Sequence, residues 1–354
     1  ELAKTAGAVT VGRVIQNREQ IHPGTYIGTG KIAEVQQLAY EVEATGIICD
    51  DELSPAQLKN LEEELDLKVM DRTLIILDIF ASRASTSEGK IQVELAQLKY
   101  RQARLVGLGS SLSRLGGGIG TRGPGEKKLE IDRRLIKSRI AQLNRELEEV
   151  KRHREVARSR RSRQSTAVIA IVGYTNAGKS TLLNTLTGAQ VLEEDKLFAT
   201  LDPTTRILEL PSGQEILLTD TVGFIRKLPH HLIDAFRSTL EEAKYADIIL
   251  HVVDASSPQM DQQMYVVYET LKNLGVTDKK IVTLFNKQDK MTENQPHRDL
   301  KAEKTIRISA KWGEGLGEVK QILEICTKKD DRIKVVNVPE NEGIAQNTNR
   351  ALDI

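Results

Sequence analysis

The sequence is poor in the residues on which secreted, cross-linked and membrane-embedded proteins depend. Only two of its 354 residues are cysteine, Cys49 and Cys326, too few for a disulfide framework or a zinc site, so a reducing cytoplasmic compartment is expected. No run approaches about eighteen consecutive apolar residues, which argues against a membrane-spanning helix. Lys and Arg total 51 against 50 Asp and Glu. Because this balance is nearly neutral, only local clusters of charge can indicate a partner.

Residues 1–87 alternate between the patterns of strands and helices. Residues 8–16 predict a strand, Lys31 to Thr45 a helix, and Ile47 to Cys49 a short buried strand. The run Ser54-Pro55-Ala56-Gln57 has the form of a helix capping box. The alternation predicts a small N-terminal α/β domain with a parallel sheet.

Residues 88–164 have a different, heptad-like pattern. Two series of residues recur at spacings of 4, 3, 4 and 3: Ile91, Leu95, Leu98, Gln102 and Leu105, and then Ile136, Ile140, Leu143, Leu147 and Val150. Two such seams separated by a turn region predict a long antiparallel helical hairpin. If residues 126–163 are all helical, their length is ~57 Å at ~1.5 Å per residue. A rod of that length should project from the body of the protein.

The predicted tip of the hairpin, residues 107–125, is a glycine-rich loop with eight glycines. One interpretation is a flexible, solvent-exposed connector, and the other is a cationic probe whose bare backbone approaches a polyanion closely. Charge favours the probe, because residues 126–163 hold 14 Lys or Arg and 7 Asp or Glu, a net of 14 − 7 = +7. Tyr100 is the only aromatic residue of the hairpin, so base stacking is not the expected mode. The cations predicted to contact RNA are Arg114, Arg122, Lys127 and Lys128.

A phosphate-binding loop opens the next region, residues 165–328. The buried-strand run Ala167 to Val172 leads directly into Gly173-Tyr174-Thr175-Asn176-Ala177-Gly178-Lys179-Ser180 and then into a helical pattern. This is the G-x-x-x-x-G-K-[ST] pattern in its strand–loop–helix context. Backbone N–H groups and the helix N-terminus would hold the phosphates, Lys179 would reach the β- and γ-phosphates, and the Ser180 hydroxyl would bind Mg²⁺.

Four further motifs follow in order, each placed after a predicted strand or in a switch loop. Phe198-Ala199-Thr200-Leu201-Asp202 would present Thr200 to Mg²⁺, with Thr204 and Thr205 as rivals for that role. Asp220-Thr221-Val222-Gly223 would hold Mg²⁺ through water and the γ-phosphate through the N–H of Gly223. Asn286-Lys287-Gln288-Asp289 suits the donor pair of guanine, and Ser309-Ala310-Lys311 suits its oxygen. Five ordered motifs of this kind predict a guanine-nucleotide domain on a doubly wound sheet.

Within this set, four residues are predicted to act in catalysis: Lys179, Thr200, Gly223 and Asn176. Phe224 stands where Ras-like GTPases have the Gln that orients the attacking water, and Phe cannot bind water, so slow intrinsic hydrolysis or another group is expected. Asn176 has two open interpretations. In related GTPases an Asn here can bind a monovalent cation such as K⁺, whereas the simpler role is to stabilise the loop turn.

The chain as a whole resembles the HflX family of bacterial ribosome-associated GTPases. The resemblance is carried by residues spread over nearly its whole length: Thr5 to Ala8, Tyr26 to Lys31, Val69 to Thr73, Gln92 to Leu98, Gly116 to Glu126, Asp132 to Arg134 and Gly173 to Ser180. Its implied fold is a P-loop GTPase domain preceded by a small α/β domain and a long helical hairpin. Residues 329–354 form a C-terminal extension in which only Lys334 to Val338 looks like a strand.

The resemblance implies a Mg²⁺-dependent GTPase that binds GTP and GDP, acts as a monomer, and uses the five motifs above for the nucleotide. Its implied partner is the large ribosomal subunit with its rRNA, and its implied role is the dissociation of stalled or idle ribosomes under stress. Two alternatives stay open: a GTPase in large-subunit assembly, and a regulator of membrane proteins or proteases. The last would place a cytoplasmic protein at the membrane periphery without stable insertion.

Overall fold

The computed structural model of the chain describes residues 1–17, 19–115, 124–162, 166–189, 197–229, 232, 242–291 and 297–328. At residues 106–115, 124–129 and 157–162 the description is of the backbone alone. The predicted RNA contacts Arg114, Arg122, Lys127 and Lys128 therefore have side chains outside it. So does the whole C-terminal extension, residues 329–354.

The N-terminal part is a small α/β unit, with elements α1 Leu2–Thr5, α2 Thr29–Glu41, β1 Gly46–Cys49, α3 Pro55–Leu65, β2 Lys68–Asp71 and α4 Arg72–Arg83. Strands β1 and β2 pair in parallel, from Gly46 opposite Lys68 to Cys49 opposite Asp71. The predicted capping box at Ser54 is confirmed, because Ser54 Oγ accepts from the Gln57 N–H at 3.2 Å and the Gln57 side chain accepts from the Ser54 N–H at 3.0 Å. The Asp71 carboxylate caps α4 by accepting from the Leu74 N–H.

The strand predicted over residues 8–16 is wrong. This segment has no regular structure, and the sheet formed by β1 and β2 within the described residues has two strands. A strand needs a neighbour to satisfy its backbone groups, and residues 8–16 have none there. Val9, Val11 and Ile15 accordingly remain 84%, 54% and 60% exposed.

Two long helices form the hairpin, α5 at Ser87–Leu115 and α6 at Pro124–Ser162. The 39 residues of α6 span ~58 Å at ~1.5 Å each. The predicted seam is present: Leu95, Leu143 and Leu147 are buried together, with Ile91, Leu98 and Ile140 packed around them. A bidentate pair of Arg139 with Glu94 joins the two helices at 2.7 and 2.9 Å.

Helix α5 continues further than the sequence pattern indicated, through residues 107–115 of the predicted loop. Leu105, Leu108, Leu112 and Leu115 keep heptad-like spacings of 3, 4 and 3, and an uninterrupted apolar seam favours continued helix despite the two glycines. Only residues 116–123 lie between the two helices.

Within the described residues, the predicted GTPase domain is a six-stranded sheet with the order β4-β5-β3-β6-β7-β8, in which β4 is antiparallel to β5 and the other pairs are parallel. Its elements are β3 Val168–Gly173, α7 Lys179–Thr187, β4 Thr204–Glu209, β5 Glu215–Asp220, β6 Ile248–Asp254, α8 Met260–Asn273, β7 Lys280–Asn286, a 3₁₀ turn Gln288–Lys290, β8 Lys304–Arg307 and α9 Leu316–Thr327. In this order the ends of β3, β5 and β7 lie near one another, which is where such sheets bind ligands.

Helix α4 shares its hydrophobic core with the predicted GTPase domain. One continuous cluster of buried residues includes Ile76 and Phe80 from α4 together with Phe198, Leu201 and Phe224 from that domain. The Phe80 and Phe198 rings meet edge to face, with centroids 4.8 Å apart. The N-terminal part and the six-stranded sheet domain are therefore joined by packing. In the described ranges, no helix combines the length and apolar character that a membrane crossing requires.

The hairpin seam provides the first prediction. Leu143→Ala should lower the midpoint of thermal unfolding, followed by the helical circular dichroism signal, because truncating a fully buried leucine costs about 2–5 kcal/mol. Leu135→Ala, on the same helix but 62% exposed, is the matched control and should leave the midpoint nearly unchanged. Equal midpoints for the two variants would contradict the seam.

Candidate nucleotide-binding site

The loop between β3 and α7 has the conformation of a phosphate-binding loop. Gly178 has a φ of 95°, and a Cβ there would lie 2.3 Å from Asn286 Nδ2, so only glycine fits. Asn176 has a φ of 62°, a conformation that Asn tolerates better than most residues. The Lys179 ammonium is buried and donates to the carbonyl oxygens of Gly173 and Tyr174 at 3.4 and 3.1 Å. Lys179 is therefore held across the mouth of the loop.

Three oxygen-bearing side chains converge beside Lys179. The Ser180 hydroxyl donates to Asp220 Oδ2 at 2.7 Å, and the Thr200 hydroxyl donates to the same atom at 3.0 Å. The two hydroxyl oxygens are 2.7 Å apart. Among the described residues, the second carboxylate oxygen of Asp220, Oδ1, is buried with no hydrogen-bond partner. A hard cation prefers such oxygen ligands, so this set fits Mg²⁺.

The rival threonines lie elsewhere. Thr204 and Thr205 are the first residues of β4, and the Thr205 hydroxyl pairs with that of Thr219 at 2.9 Å. Thr200 is the threonine of this segment that reaches Ser180 and Asp220.

Burial sets the electrostatics of the phosphate end. It lowers the pKa of Lys179, which the nearby Asp220 partly offsets, and it raises the pKa of Asp220, which Lys179 and the two hydroxyls partly offset. Buried charge is costly unless it is paired. The negative oxygens of a triphosphate would provide the partner that Lys179 needs.

The base end is organised by two motifs that bind each other. Asn286 donates from Nδ2 to the Ala177 carbonyl and accepts at Oδ1 from the Ala310 N–H, both at 2.9 Å. Ser309 Oγ donates to Asp289 Oδ1 at 2.6 Å and orients that carboxylate. Gln288 follows in the 3₁₀ turn, and the exposed Lys311 has its ammonium 5.1 Å from the Trp312 ring. Hydrogen bonds between the two motifs therefore orient the side chains of this edge.

Lys287 fastens the base end to the phosphate loop. Its ammonium donates to the Asn176 carbonyl at 2.8 Å and pairs with Asp254 at 2.8 Å. Because Asp254 ends β6, this contact joins three of the loops that follow the strands.

Phe224 stands at the position where Ras-like GTPases have a catalytic glutamine. The residue is 1% exposed. Its backbone carbonyl accepts from the Thr175 N–H at 2.7 Å, and its backbone N–H donates to the Gly173 carbonyl at 3.1 Å. Its side chain belongs to the apolar core and cannot bind water, which agrees with the expectation of slow intrinsic hydrolysis or of another group that orients the water. Gly223, beside it, lines the phosphate cleft with Thr175, Ala199 and Thr200.

Three residues of the predicted nucleotide set face away from the cleft. Leu201 and Val222 are 2% and 4% exposed and belong to the apolar core, while the Thr221 hydroxyl donates to the Ile171 carbonyl. The prediction that Asp202 serves the nucleotide differs from the geometry, because its carboxylate binds Ser85 and Thr86 at the start of α5. Because these four donors occupy its carboxylate, Asp202 does not line the phosphate cleft.

The N-terminal part contacts the segment after Gly223, which no sequence pattern indicated. The Arg72 guanidinium donates to the Arg226 carbonyl at 2.8 Å and pairs with Asp50 at 2.5 Å. The ammonium of Lys227 pairs with Asp51, whose pKa is lowered by this pair and by Tyr26 despite partial burial. Arg72 and Arg226 are more than 150 residues apart in the chain, so no local sequence pattern predicts their contact.

A second, larger cleft lies outside the nucleotide site. Its volume is about 830 Å³, and it is bordered by residues 9–16, α2 and β1. Its walls combine apolar side chains such as Val11, Leu38 and Leu61 with charged ones such as Lys31 and Asp51, and no sequence motif assigns it a chemistry. The nucleotide assignment therefore rests on the chemistry of the phosphate loop and its neighbours, not on cleft size.

The site combines a phosphate loop, a converging set of Mg²⁺-type oxygens and a guanine-type carboxylate on a six-stranded α/β sheet. These features define a P-loop GTPase, a protein that binds guanine nucleotides and hydrolyses GTP. Three family patterns match consecutive parts of the chain: "GTP-binding GTPase N-terminal" at residues 1–81, "GTP-binding GTPase Middle Region" at 83–161 and "50S ribosome-binding GTPase" at 168–287. The chain belongs to the HflX family of GTPases.

Relatives of known sequence and structure support this assignment. GTPase HflX of Lacrimispora saccharolytica is 72% identical over 324 residues, which cover 92% of this chain and 77% of that protein. GTPase HflX of Escherichia coli is 40% identical over 97% of this chain and 81% of its own length. A solved structure of SsGBP in complex with GDP superposes with a TM-score of 0.51 at 28% identity, over 92% of this chain and 93% of that one.

The base end provides the second prediction. Asp289→Asn should lower GTP affinity by about ten- to a hundredfold, because an amide cannot accept both guanine donors and each unpaired group costs about 1–3 kcal/mol. Xanthosine triphosphate, which carries an oxygen where guanine has its amine, should bind the variant better than GTP does. Isothermal titration measures both affinities.

Asp278→Asn is the matched control for this substitution. Asp278 is an exposed aspartate with a φ of 58°, where Asn is tolerated. Its GTP affinity should stay at the wild-type value. Unchanged GTP affinity in Asp289→Asn would contradict the assignment of the base-binding carboxylate.

Proposed function

We propose that this chain is a GTP-hydrolysing factor that binds the large ribosomal subunit and dissociates stalled or idle ribosomes under stress. The pattern that matches its GTPase domain is that of 50S ribosome-binding GTPases, and its relatives are HflX GTPases. The observation that carries the proposal is a row of exposed cations along α6, the longer helix of the hairpin.

This row, the cationic stripe, consists of Arg134, Lys137, Arg145 and Arg152, all exposed. At about 100° per residue they lie within about 80° of one another around the helix axis, and they span about 27 Å along it. The buried seam residue Leu143 lies on the opposite face. The stripe therefore faces away from α5 and is free to meet a polyanion, and the phosphates of rRNA are such a partner.

Acidic residues also lie beside the stripe. Glu130, Glu148, Glu149 and Glu155 are exposed on or next to the same face, and Glu148 pairs with Lys151 at 2.9 Å. The excess of positive charge belongs to the hairpin as a whole, because residues 126–163 hold 14 Lys or Arg and 7 Asp or Glu, a net of 14 − 7 = +7. The predicted contacts at the tip, Arg114, Arg122, Lys127 and Lys128, would extend the same cationic surface.

In the nucleotide site, Ser180 and Thr200 would hold Mg²⁺ directly and Asp220 would hold it through water. The ion supplies charge neutralisation for the β- and γ-phosphates. Lys179 would donate to the same phosphates, and the Gly223 N–H would donate to the γ-phosphate. Phe224, whose side chain lies in the core, stands where Ras-like GTPases have the water-orienting glutamine. We therefore expect slow intrinsic hydrolysis that ribosome binding accelerates.

Asn176 provides the third prediction, on a monovalent cation. If its side chain helps to bind K⁺ against the phosphates, hydrolysis should be several-fold faster in KCl than in NaCl at equal ionic strength. Asn176→Gly keeps the left-handed turn, which glycine adopts freely, and should make the two rates equal. Equal rates in the wild-type protein would contradict the cation role and leave Asn176 only the role of stabilising the loop turn.

Sedimentation through sucrose gradients tests the proposed role itself. With GTP, the protein should convert intact ribosomes into subunits and migrate with the large one. Exclusive migration with precursor particles would instead indicate an assembly factor, and exclusive migration with membranes would indicate a regulator of membrane proteins or proteases. Either of these results would contradict the proposal.

The cationic stripe provides the fourth prediction. Arg145→Gln combined with Arg152→Gln should weaken binding to the large subunit and make it less dependent on salt, by about one unit of slope per lost phosphate contact. Lys272→Gln with Lys280→Gln removes two exposed charges from the GTPase domain and is the matched control. GTP affinity should be unchanged in both. Identical ribosome affinities for the two double variants would contradict the stripe.

A further inference from the structure

Asp202 makes a contact that a nucleotide-binding role does not explain. Its Oδ2 accepts from the Ser85 N–H at 2.9 Å, the Ser85 hydroxyl at 2.7 Å and the Thr86 N–H at 2.9 Å. Its Oδ1 accepts from the Thr86 hydroxyl at 2.6 Å. One carboxylate thus receives four hydrogen bonds from the two residues that precede α5. These interactions are called the switch–hairpin contact below.

The partner of Asp202 is the root of the hairpin. Thr86 immediately precedes α5, and its hydroxyl accepts from the Gly89 N–H at 2.9 Å in the first turn. A carboxylate at a helix N-terminus is stabilised by the unpaired N–H groups there. The pKa of Asp202 is accordingly lowered by its bonds from Thr86 and Ser85, despite the opposing effect of burial.

Gly89 leaves space for the Asp202 carboxylate beside the first turn of α5. A Cβ at residue 89 would lie 2.3 Å from Asp202 Oδ1 and 3.1 Å from the Thr86 hydroxyl. Glycine is a poor helix former, and residue 89 has no unusual backbone angle that demands it. A side chain at residue 89 would therefore have to displace the Asp202 carboxylate, and the glycine leaves room for the switch–hairpin contact.

The other side of the same loop faces the nucleotide. Thr200, two residues before Asp202, reaches Ser180 and Asp220 at the Mg²⁺ set. Leu201 between them is buried in the core that includes Phe80 of α4. Two residues of chain span about 7 Å at most. A movement of Thr200 away from the phosphates therefore must pull on Asp202.

We propose that Asp202 is a positioning residue that joins the nucleotide site to the hairpin, so that the γ-phosphate and the seated hairpin root stabilise the same position of the switch loop. The proposal rests on the GTP site and needs no ribosome. Bound GTP would add the γ-phosphate to the partners Asp220 and Ser180 that Thr200 has in this structure, and GDP would not. Asp202 should consequently be held against Ser85 and Thr86 with GTP and released more readily with GDP.

Thermodynamic reciprocity makes this testable on the isolated protein. If GTP strengthens the switch–hairpin contact, the contact must strengthen GTP binding by the same factor, while GDP binding stays the same. Asp202→Ala should therefore weaken the affinity for a non-hydrolysable GTP analogue about tenfold and change GDP affinity less than twofold. Asp202→Asn keeps one acceptor oxygen and should give an intermediate loss. Isothermal titration with Mg²⁺ present measures each affinity.

Gly89→Ala tests the contact from the hairpin side, without touching the nucleotide site. The added methyl group displaces the Asp202 carboxylate, so the same selective loss of analogue affinity is expected. Alanine favours helix over glycine, so the fold should be kept. Gly317→Ala, also in the first turn of a helix but with nothing within 4 Å of the new methyl group, is the matched control and should bind both nucleotides as the wild type does.

A double-mutant cycle separates coupling from simple damage. In the Asp202→Ala background the Gly89→Ala change should have no further effect on analogue affinity, because the group it displaces is gone. The position of the hairpin gives a second readout. Distance labels attached to Gln142→Cys on α6 and Lys272→Cys on α8, in a Cys326→Ser background, should report different distances with the analogue and with GDP. Asp202→Ala should remove that difference.

The proposal is overturned if the analogue-to-GDP affinity ratio stays within twofold of the wild type in both Asp202→Ala and Gly89→Ala. If both affinities fall by the same factor, the contact supports the fold and does not sense the γ-phosphate. Failure of ribosome dissociation in the gradients above would leave these affinities unaffected, so the two proposals fail independently.

Discussion

The packing of α4 against the underside of the nucleotide site is the interaction on which the rest of this structure depends. Phe80 meets Phe198 edge to face, and both belong to one buried cluster with Leu201 and Phe224. Burying these apolar side chains stabilises the junction, and this stabilisation does not depend on the orientation of the groups. Hydrogen bonds, which do depend on orientation, surround the cluster. Asp202 accepts from the hairpin root, and Arg72 donates to the Arg226 carbonyl. Both loops that can sense the γ-phosphate therefore rest on the N-terminal part.

The nucleotide site was largely predictable from the sequence because its chemistry is local. A phosphate loop must follow a buried strand and open a helix, and residues 173–180 do so. The carboxyl ends of parallel strands meet at one edge, which brings motifs separated by many residues together. The hairpin was predictable for a similar reason. The spacing of 4, 3, 4 and 3 in each of two series predicts a seam, and Leu95, Leu143 and Leu147 from these series are buried together.

The remainder depends on contacts that have no local signature. Asp202 lies inside a nucleotide motif, yet its partners Ser85 and Thr86 are more than 110 residues earlier in the chain. Residues 8–16 alternate as a strand does, but alternation cannot supply a neighbour with which to pair. The glycines near Leu115 indicated a loop, whereas the continuing apolar spacing favours helix. For Asp202 and for residues 8–16, a tertiary contact, or the lack of one in the described residues, decided the outcome. For α5, one local signal, the apolar spacing, outweighed another, the glycines.

The central claim is that the nucleotide and the hairpin root bias the same switch loop, and amide hydrogen exchange tests it most directly. The backbone N–H groups of Ser85 and Thr86 donate to Asp202, so their exchange rates report the contact without any substitution. With a non-hydrolysable GTP analogue and Mg²⁺, peptides containing these residues should exchange slowly. With GDP they should exchange several-fold faster, while peptides from the buried strand β3 stay unchanged. Equal exchange at Ser85 and Thr86 in the two nucleotide states would contradict the account.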